Sequence, residues 1–527
     1  MIESVFRGSF FGRVAAYLRK MYPLGCLAAF FRALAGAYSH SRLRRAVHAV
    51  MQSPSSTEAS AYARRLNGLN RWLHRVGTGI EQAGKRSRVC RGIRAAGQSA
   101  RVRGSAFCRF WARVRYRKPL LLLFSLFLPI DVFLRTVVDI AFLSALWDEA
   151  FLLFCLLALL AERMAARETL EARPTPLDVP ILFFIALSFM LCMIVSPDMG
   201  IAVDGLRAAV QFMLWFFALS RLIRDDDDWL WFIIPLCLIA VLVSLHGLFQ
   251  FLVGAPIPAH WVSQSEMGVR TRVFSIFGSP NIMGAFLVMT APLCAAFAYM
   301  ARGWGTKVIV WGAVALLCGA CLFTFSRGAW IGLAVAVLLF ALFVDRRILL
   351  IALLAGGVAL FIPQVSNRIT FLFTSDFAQR TMEGGRGERW AVGMQLLRSV
   401  NGWFGFGLGR FGGAVAMQNQ VIESVKYFYL DNYYLKTLVE MGYLGLGGYL
   451  LLLCSTMGSG LRRIFQLRTT KLHVLAAALF SGMAGVLAHC YFENIFEVPY
   501  MSAYFWGMAA VLVTLGKTRA AARTRGV

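Results

Sequence analysis

The chain has 527 residues, of which 58% are hydrophobic, 43 are Phe and only 15% are charged. Soluble cores of this length cannot bury so much apolar surface, so a bilayer is the solvent, and both disorder and a secreted disulfide scaffold are excluded. The net charge of +27 sits at one end: residues 1–118 hold 24 Lys and Arg against Glu3, Glu58 and Glu81, while the remainder carries 30 basic and 24 acidic side chains.

The basic head, residues 1–118, reads as amphipathic helices. Phe6, Phe10, Val14, Tyr17 and Leu18 recur at helical spacing among Arg7, Arg13, Arg19 and Lys20. The pattern returns as Leu66, Leu69, Leu73 and Val76 among Arg64, Arg65, Arg71 and Arg75. Such helices suit anionic lipid headgroups; nucleic acid is not expected as a partner, because it would need the charge but not the Phe/Leu face. Residues 24–31 are too short for a secretory leader, so the head is expected in the cytoplasm.

From Pro119 onward, twelve apolar runs of about spanning length alternate with short polar joints. They lie near 119–138, 147–165, 178–195, 205–223, 229–253, 281–301, 306–325, 328–344, 347–363, 433–456, 472–490 and 498–516. Pro129, Asp131, Arg135 and Asp139 interrupt the first, and residues 131–146 are expected to lie flat at the outer interface. The expected fold is therefore an all-α integral membrane protein of about twelve transmembrane helices, followed by a basic cytoplasmic tail, 517–527. The eleven Cys fall in the head or the apolar runs, and Cys318-x-x-Cys321 reads as packing inside a span.

Arg and Lys in short loops are retained on the cytoplasmic side. With the head inside, alternate joints carry Arg163, Arg167 and Arg173; Arg221 and Arg224; Arg302 and Lys307; Arg346 and Arg347; Arg462, Arg463, Arg468 and Lys471; and the tail. Both termini are then cytoplasmic. The opposite joints, 196–204, 254–280, the turn at Ser326 and Arg327, 364–432 and 491–497, face outward, with the large outer loop 364–432 between the ninth and tenth runs.

Arginine in an outward joint runs against that bias and asks for an anionic partner. Five qualify: Arg270, Arg272, Arg327, Arg386 and Arg389. Planar guanidinium donors suit phosphate oxygens, so these residues are candidates for a diphosphate site. Arg386 and Arg389 share a face at the start of a helix after Gly384 and Gly385, where an anion would offset their opposition to the helix dipole; pairing with Glu383 or Glu388 is the alternative. Gly407, Gly409 and Gly412 match GxGxxG, but no strand precedes them, so close backbone packing is expected rather than a dinucleotide site.

Five patches occur in order: Arg272-Val-Phe-Ser-Ile-Phe-Gly-Ser-Pro-Asn281, Thr324-Phe-Ser-Arg-Gly-Ala-Trp330, Gly385–Trp390, Gly405–Phe411, and Asp431-Asn-Tyr-Tyr-Leu435 followed by Glu440-Met-Gly442. Together they resemble the O-antigen ligase and polymerase superfamily, over roughly residues 119–516. The resemblance implies a multispan (GT-C-like) glycosyltransferase fold in the bacterial cytoplasmic membrane with an outward-facing active site. It further implies an undecaprenyl-diphosphate-linked glycan as donor, a glycan, glycolipid or other surface acceptor, and no cofactor or metal. Arg272 with Arg270, Arg327, and Arg389 with Arg386 would hold the donor diphosphate, Arg327 acting in catalysis as well.

Many ligases of this superfamily carry His-Asn where this chain has Asp431-Asn432. Asp431 either takes the proton of the acceptor hydroxyl, orients Arg389, or caps the span beginning at Tyr433. Asn281, Asn432, Glu440, His489 and Glu493 are candidates for meeting or orienting the acceptor, with a helix-end hydrogen-bonding role as the alternative for His489, Glu493 and Glu497. His260 is expected to be solvated, His246 to be hydrogen-bonded between helices, and Asp225 to Asp228 to form a solvated interfacial turn. The rival class is a secondary transporter of a small anion. Sparse midspan charge, with Arg207 the exception, and the long outer loop favour an enzyme.

Overall fold

The computed structural model describes residues 116–165, 175–256, 271–375, 379, 385–419 and 429–516. The amphipathic head, Arg270, His260, Glu383 and the basic tail lie outside these residues. Every regular element among the described residues is helical.

The chain opens with α1 (Arg117–Ser125) and α2 (Phe127–Phe133), the latter closed by a π turn at Leu134–Val138; the two halves are bent by 61°. Residues 131–146 are divided between two helices by a turn. Asp139 takes a left-handed conformation, φ 49°, and α3 (Ala141–Ala165) begins two residues later. The cause is Asp131, which is buried and accepts from Arg135 (3.0 Å) and from the Trp147 indole (3.1 Å), drawing α3 back onto α2.

There follow α4 (Asp178–Val195), α5 (Met199–Val210), a 3-10 turn, α6 (Leu214–Leu222), α7 (Leu230–Leu252), α8 (Pro280–Met300), α9 (Trp304–Phe323), α10 (Arg327–Phe343) and α11 (Arg347–Ala359). Beyond these come α12 (Pro363–Thr370), α13 (Arg386–Arg398), α14 (Ala414–Asn419), α15 (Tyr433–Gln466), α16 (Leu472–His489) and α17 (Pro499–Thr514). Each apolar run falls on a helix or on the bent pair. Among the described residues, eight helices are long and apolar enough to cross a bilayer, with α5 and α6 as one, or nine if α1 and α2 form a bent span. The other three runs give α10, α11 and α17, of 17, 13 and 16 residues, which fall short of the ~20 that a straight crossing needs.

α8, α16 and α17 form the core, with nearly every side chain of α8 and α17 enclosed. α10 packs closely on α16 because small residues let the backbones touch: a β-carbon on Gly332 would lie 2.7 Å from the Gly485 carbonyl oxygen. At one end, Arg221 pairs with Asp178 (2.7 Å) and Arg224 with Glu162 (3.0 Å). Asp228 does not belong to a solvated turn; it is 1% exposed and accepts the backbone N–H groups of Arg224 and Asp225.

At the other end, α15 breaks at Gly442, φ 67°. The loop 401–413 inserts there, Phe406 N–H donating to the Val439 carbonyl (2.7 Å) and Gly407 N–H to that of Glu440 (2.9 Å). On its far side the loop touches α5, where a β-carbon on Gly205 would lie 2.2 Å from Gly409 N. The glycines of this loop serve close backbone packing. Beneath it, Lys436 bridges Glu440 (2.8 Å) and Glu497 (3.2 Å), all three largely buried.

Candidate active site

Four helices begin at this end beside the segment 489–493. α8 starts behind the Ser279 N-cap with Pro280 in its first turn, α10 behind Ser326, and α15 behind Asn432, whose side chain accepts from Leu435 N–H at 3.0 Å. α13 starts at Arg386. Free N–H groups and the positive dipole ends of these helices favour an anion.

The arginines are held by the same framework. Arg272 is 6% exposed; its Nε donates to the Thr324 carbonyl (3.0 Å) at the end of α9, and an Nη to Asn281 Oδ1 (3.2 Å). The Asn281 amide in turn donates to the Glu493 carboxylate. Arg386 Nε and Arg389 Nη2 both approach Asp431 Oδ2, at 3.1 and 2.8 Å. Arg327 lies over the Phe371 ring, 5.7 Å from its centroid. Behind Arg327, Gly328 abuts the His489 ring, where a β-carbon would fall 2.6 Å from Cδ2.

Burial beside the Asp431 carboxylate pushes the Glu493 carboxyl up to about 7, against the lowering influence of Arg386. Burial, with smaller contributions from Glu497 and Glu493, pushes the Tyr429 hydroxyl up to about 12. Trp390 and Tyr491 meet edge to face at 5.5 Å, and Tyr491 is half exposed.

Arg272, Asn281, Glu493, Asp431, Arg386 and Arg389 are therefore brought into one neighbourhood, with Arg327 and His489 alongside. Asn432 contributes its N-cap, so Asp431 is not the helix cap. Glu440 stands apart, enclosed with Lys436 and accepting Phe411 N–H (3.2 Å). His246 is satisfied by the Ser275 hydroxyl (3.0 Å), a joint residue rather than a neighbouring helix. Arg207 is engaged by Glu149, Gln211 and the Ala145 carbonyl.

Two arginines were missed. Arg368 donates to the Phe325 carbonyl (2.6 Å) and stacks on that ring, bracing a bulky residue at φ 51° in the turn before Arg327. Arg410 lies 4.3 Å over Phe406. Both stand in the long joint 364–432, so the criterion that selected Arg386 would also have selected them. Among the described residues, no group of three or more His, Cys, Asp or Glu is placed to hold a metal ion.

Residues 312–450 match the family model described as O-antigen ligase. This stretch, about a quarter of the chain, supports membership of the O-antigen ligase and polymerase superfamily. The ligase domain runs from within α9 to within α15, and so contains Arg327, Arg386, Arg389 and Asp431 but not Arg272, Asn281, His489 or Glu493. It ties this multi-pass membrane protein to glycosyl transfer in surface polysaccharide assembly. No curated protein matches the chain.

Proposed function

We propose that the protein transfers or polymerises a glycan from an undecaprenyl-diphosphate-linked donor onto an acceptor hydroxyl at the outer face of the bacterial cytoplasmic membrane. The observation that carries this reading is the gathering of Arg272, Arg327, Arg386 and Arg389 with four helix N-termini around residues 489–493. A diphosphate seated there would meet donors and positive dipoles from separate elements. The basic joints at the opposite end, retained in the cytoplasm, leave this end outside, and the shorter apolar helices would complete about twelve crossings.

In the proposed reaction the acceptor oxygen attacks the anomeric carbon and the carrier diphosphate departs. Negative charge grows on the leaving diphosphate, so guanidinium groups fixed in advance stabilise the transition state more than the ground state. Arg327 and Arg389 are assigned to that charge, Arg272 to the donor and the Asn281 side chain. Asp431 holds Arg386 and Arg389 in register. The arrangement supplies positive charge without calling on a divalent metal.

The test is glycan transfer by the purified full chain in proteoliposomes, using lipid-linked glycan and acceptor extracted from membranes of the producing cell. Native protein is expected to transfer, and Arg327→Ala or Arg389→Ala to lose about 100-fold or more in rate. Native rates in an Arg272→Ala, Arg327→Ala, Arg389→Ala triple variant would refute the assignment.

A further inference from the structure

Transfer to a hydroxyl requires somewhere for its proton to go. Asp431 is poorly arranged to take it, because a proton on Oδ2 would disrupt approaches from two guanidinium groups at once, 3.1 and 2.8 Å away. Glu493 is different. It is partly buried, and among the described residues it accepts only the Asn281 amide and the Asn494 N–H (3.3 Å), with no arginine or lysine paired to it.

The Asn281 amide is oriented for this task. Its carbonyl oxygen accepts from Arg272, so its NH2 group must face the carboxylate. An arginine assigned to the diphosphate is thereby linked to Glu493 through one side chain, with Arg272 and Asn281 standing between the carboxylate and the expected diphosphate.

We propose that Glu493 is the general base of the transfer, receiving the proton of the acceptor hydroxyl while Asp431 positions the arginines. This rests on the transferase reading above. The hydroxyl oxygen forms the new bond to the anomeric carbon, the bond from that carbon to the diphosphate oxygen breaks, and its electron pair leaves on the diphosphate. The hydroxyl proton passes to the Glu493 carboxylate and then to water, which restores the base.

The groups facing Glu493 are Asp431 before α15, Arg386 on α13, Asn281 on α8, Tyr429 in the outer loop, and Cys490 at the end of α16. A carboxyl brought to about 7 by burial and by Asp431 is suited to proton transfer near neutral pH. In the resting site it would be shared between protonated and ionised forms, so the rate would follow its titration.

The experiment is the pH dependence of kcat/KM for the acceptor, from pH 5 to 9, in the same proteoliposomes. The native rate is expected to rise with pH and level off above about 7. Glu493→Gln is expected to lose roughly 100-fold or more, together with the rising limb, while still binding undecaprenyl diphosphate. Asp431→Asn is expected to keep the limb. Asn281→Ala, lacking the amide donor, is expected to move the limb to higher pH, a shift that a merely structural role would not produce.

A native rate or an unchanged limb in Glu493→Gln would overturn the proposal and leave the transferase reading intact. Loss of the limb in Asp431→Asn alone would also overturn it, in favour of Asp431. Should Glu493→Gln not fold, an unmoved limb in Asn281→Ala decides against the proposal. No transfer by native protein would contradict the transferase reading, and the base assignment with it.

Discussion

The side-chain amide of Asn281 donates to the carboxylate of Glu493 across a sequence separation of 212 residues. It ties the first turn of α8 to the joint between α16 and α17, two of the three helices at the centre of the fold. The candidate site is therefore fastened to rigid core elements, while its arginines come from the mouths of loops.

Asp431→Asn would replace the carboxylate approached by Arg386 and Arg389 with a neutral amide. The expected outcome is a roughly tenfold fall in transfer, about 1.4 kcal/mol, appearing mainly as a higher KM for the lipid-linked donor. Steady-state kinetics with donor varied at saturating acceptor checks it; an unaltered donor KM with a collapsed kcat would place Asp431 in the chemical step instead.

Glu493 also predicts a slope in stability. Its carboxyl is raised from an ordinary 4.5 to about 7, so between those values the folded chain keeps a proton that the unfolded chain has lost. The resulting stability is present in full below about 4.5 and is lost as pH rises through about 7. Thermal unfolding in detergent should show native protein weakening across that window and Glu493→Gln weakening less. Equal slopes in the two proteins would remove this contribution.

Lys436 pairs with two carboxylates that would otherwise be buried together without a cation. Lys436→Met is expected to cost about 3–5 kcal/mol, because an uncompensated buried charge remains. Replacing Glu440 and Glu497 with Gln in the same chain should restore much of it. Melting temperatures of the single and triple variants decide the matter.

Gly328 has no room for a methyl group: its β-carbon would fall 2.6 Å from His489 Cδ2 and 3.0 Å from Phe492 Cβ. Gly328→Ala must shift the His489 ring or the turn carrying Glu493. A loss of about 1–3 kcal/mol in stability is expected, with transfer falling at least tenfold. Gly312→Ala and Gly319→Ala, which meet nothing within 4 Å, are the controls and should retain native rates.

Much of this architecture was legible in the sequence because its signals are local. Apolar runs declared the helices, and arginines in the wrong joints pointed to one end of the bundle. What stayed hidden is long-range pairing. Nothing local says that Arg386 and Arg389 meet Asp431 rather than Glu388, or that Asn281 reaches Glu493. Burial was hidden for the same reason: Asp228 read as part of a solvated acidic run, yet backbone N–H groups enclose it, and Glu440 read as a residue near the acceptor, yet Lys436 covers it. The return of α3 onto α2 brings Trp147 to Asp131, which the charge pattern of residues 131–146 does not reveal.

The central proposal is that guanidinium groups fixed around residues 489–493 hold the diphosphate of a polyprenol carrier. The direct measurement is the dissociation constant of undecaprenyl diphosphate for native protein and for the Arg272→Ala, Arg327→Ala, Arg389→Ala variant in matched detergent. The prediction is weakening by ~100-fold or more, the loss of several charge-assisted contacts. An unchanged dissociation constant in a folded triple variant would contradict it.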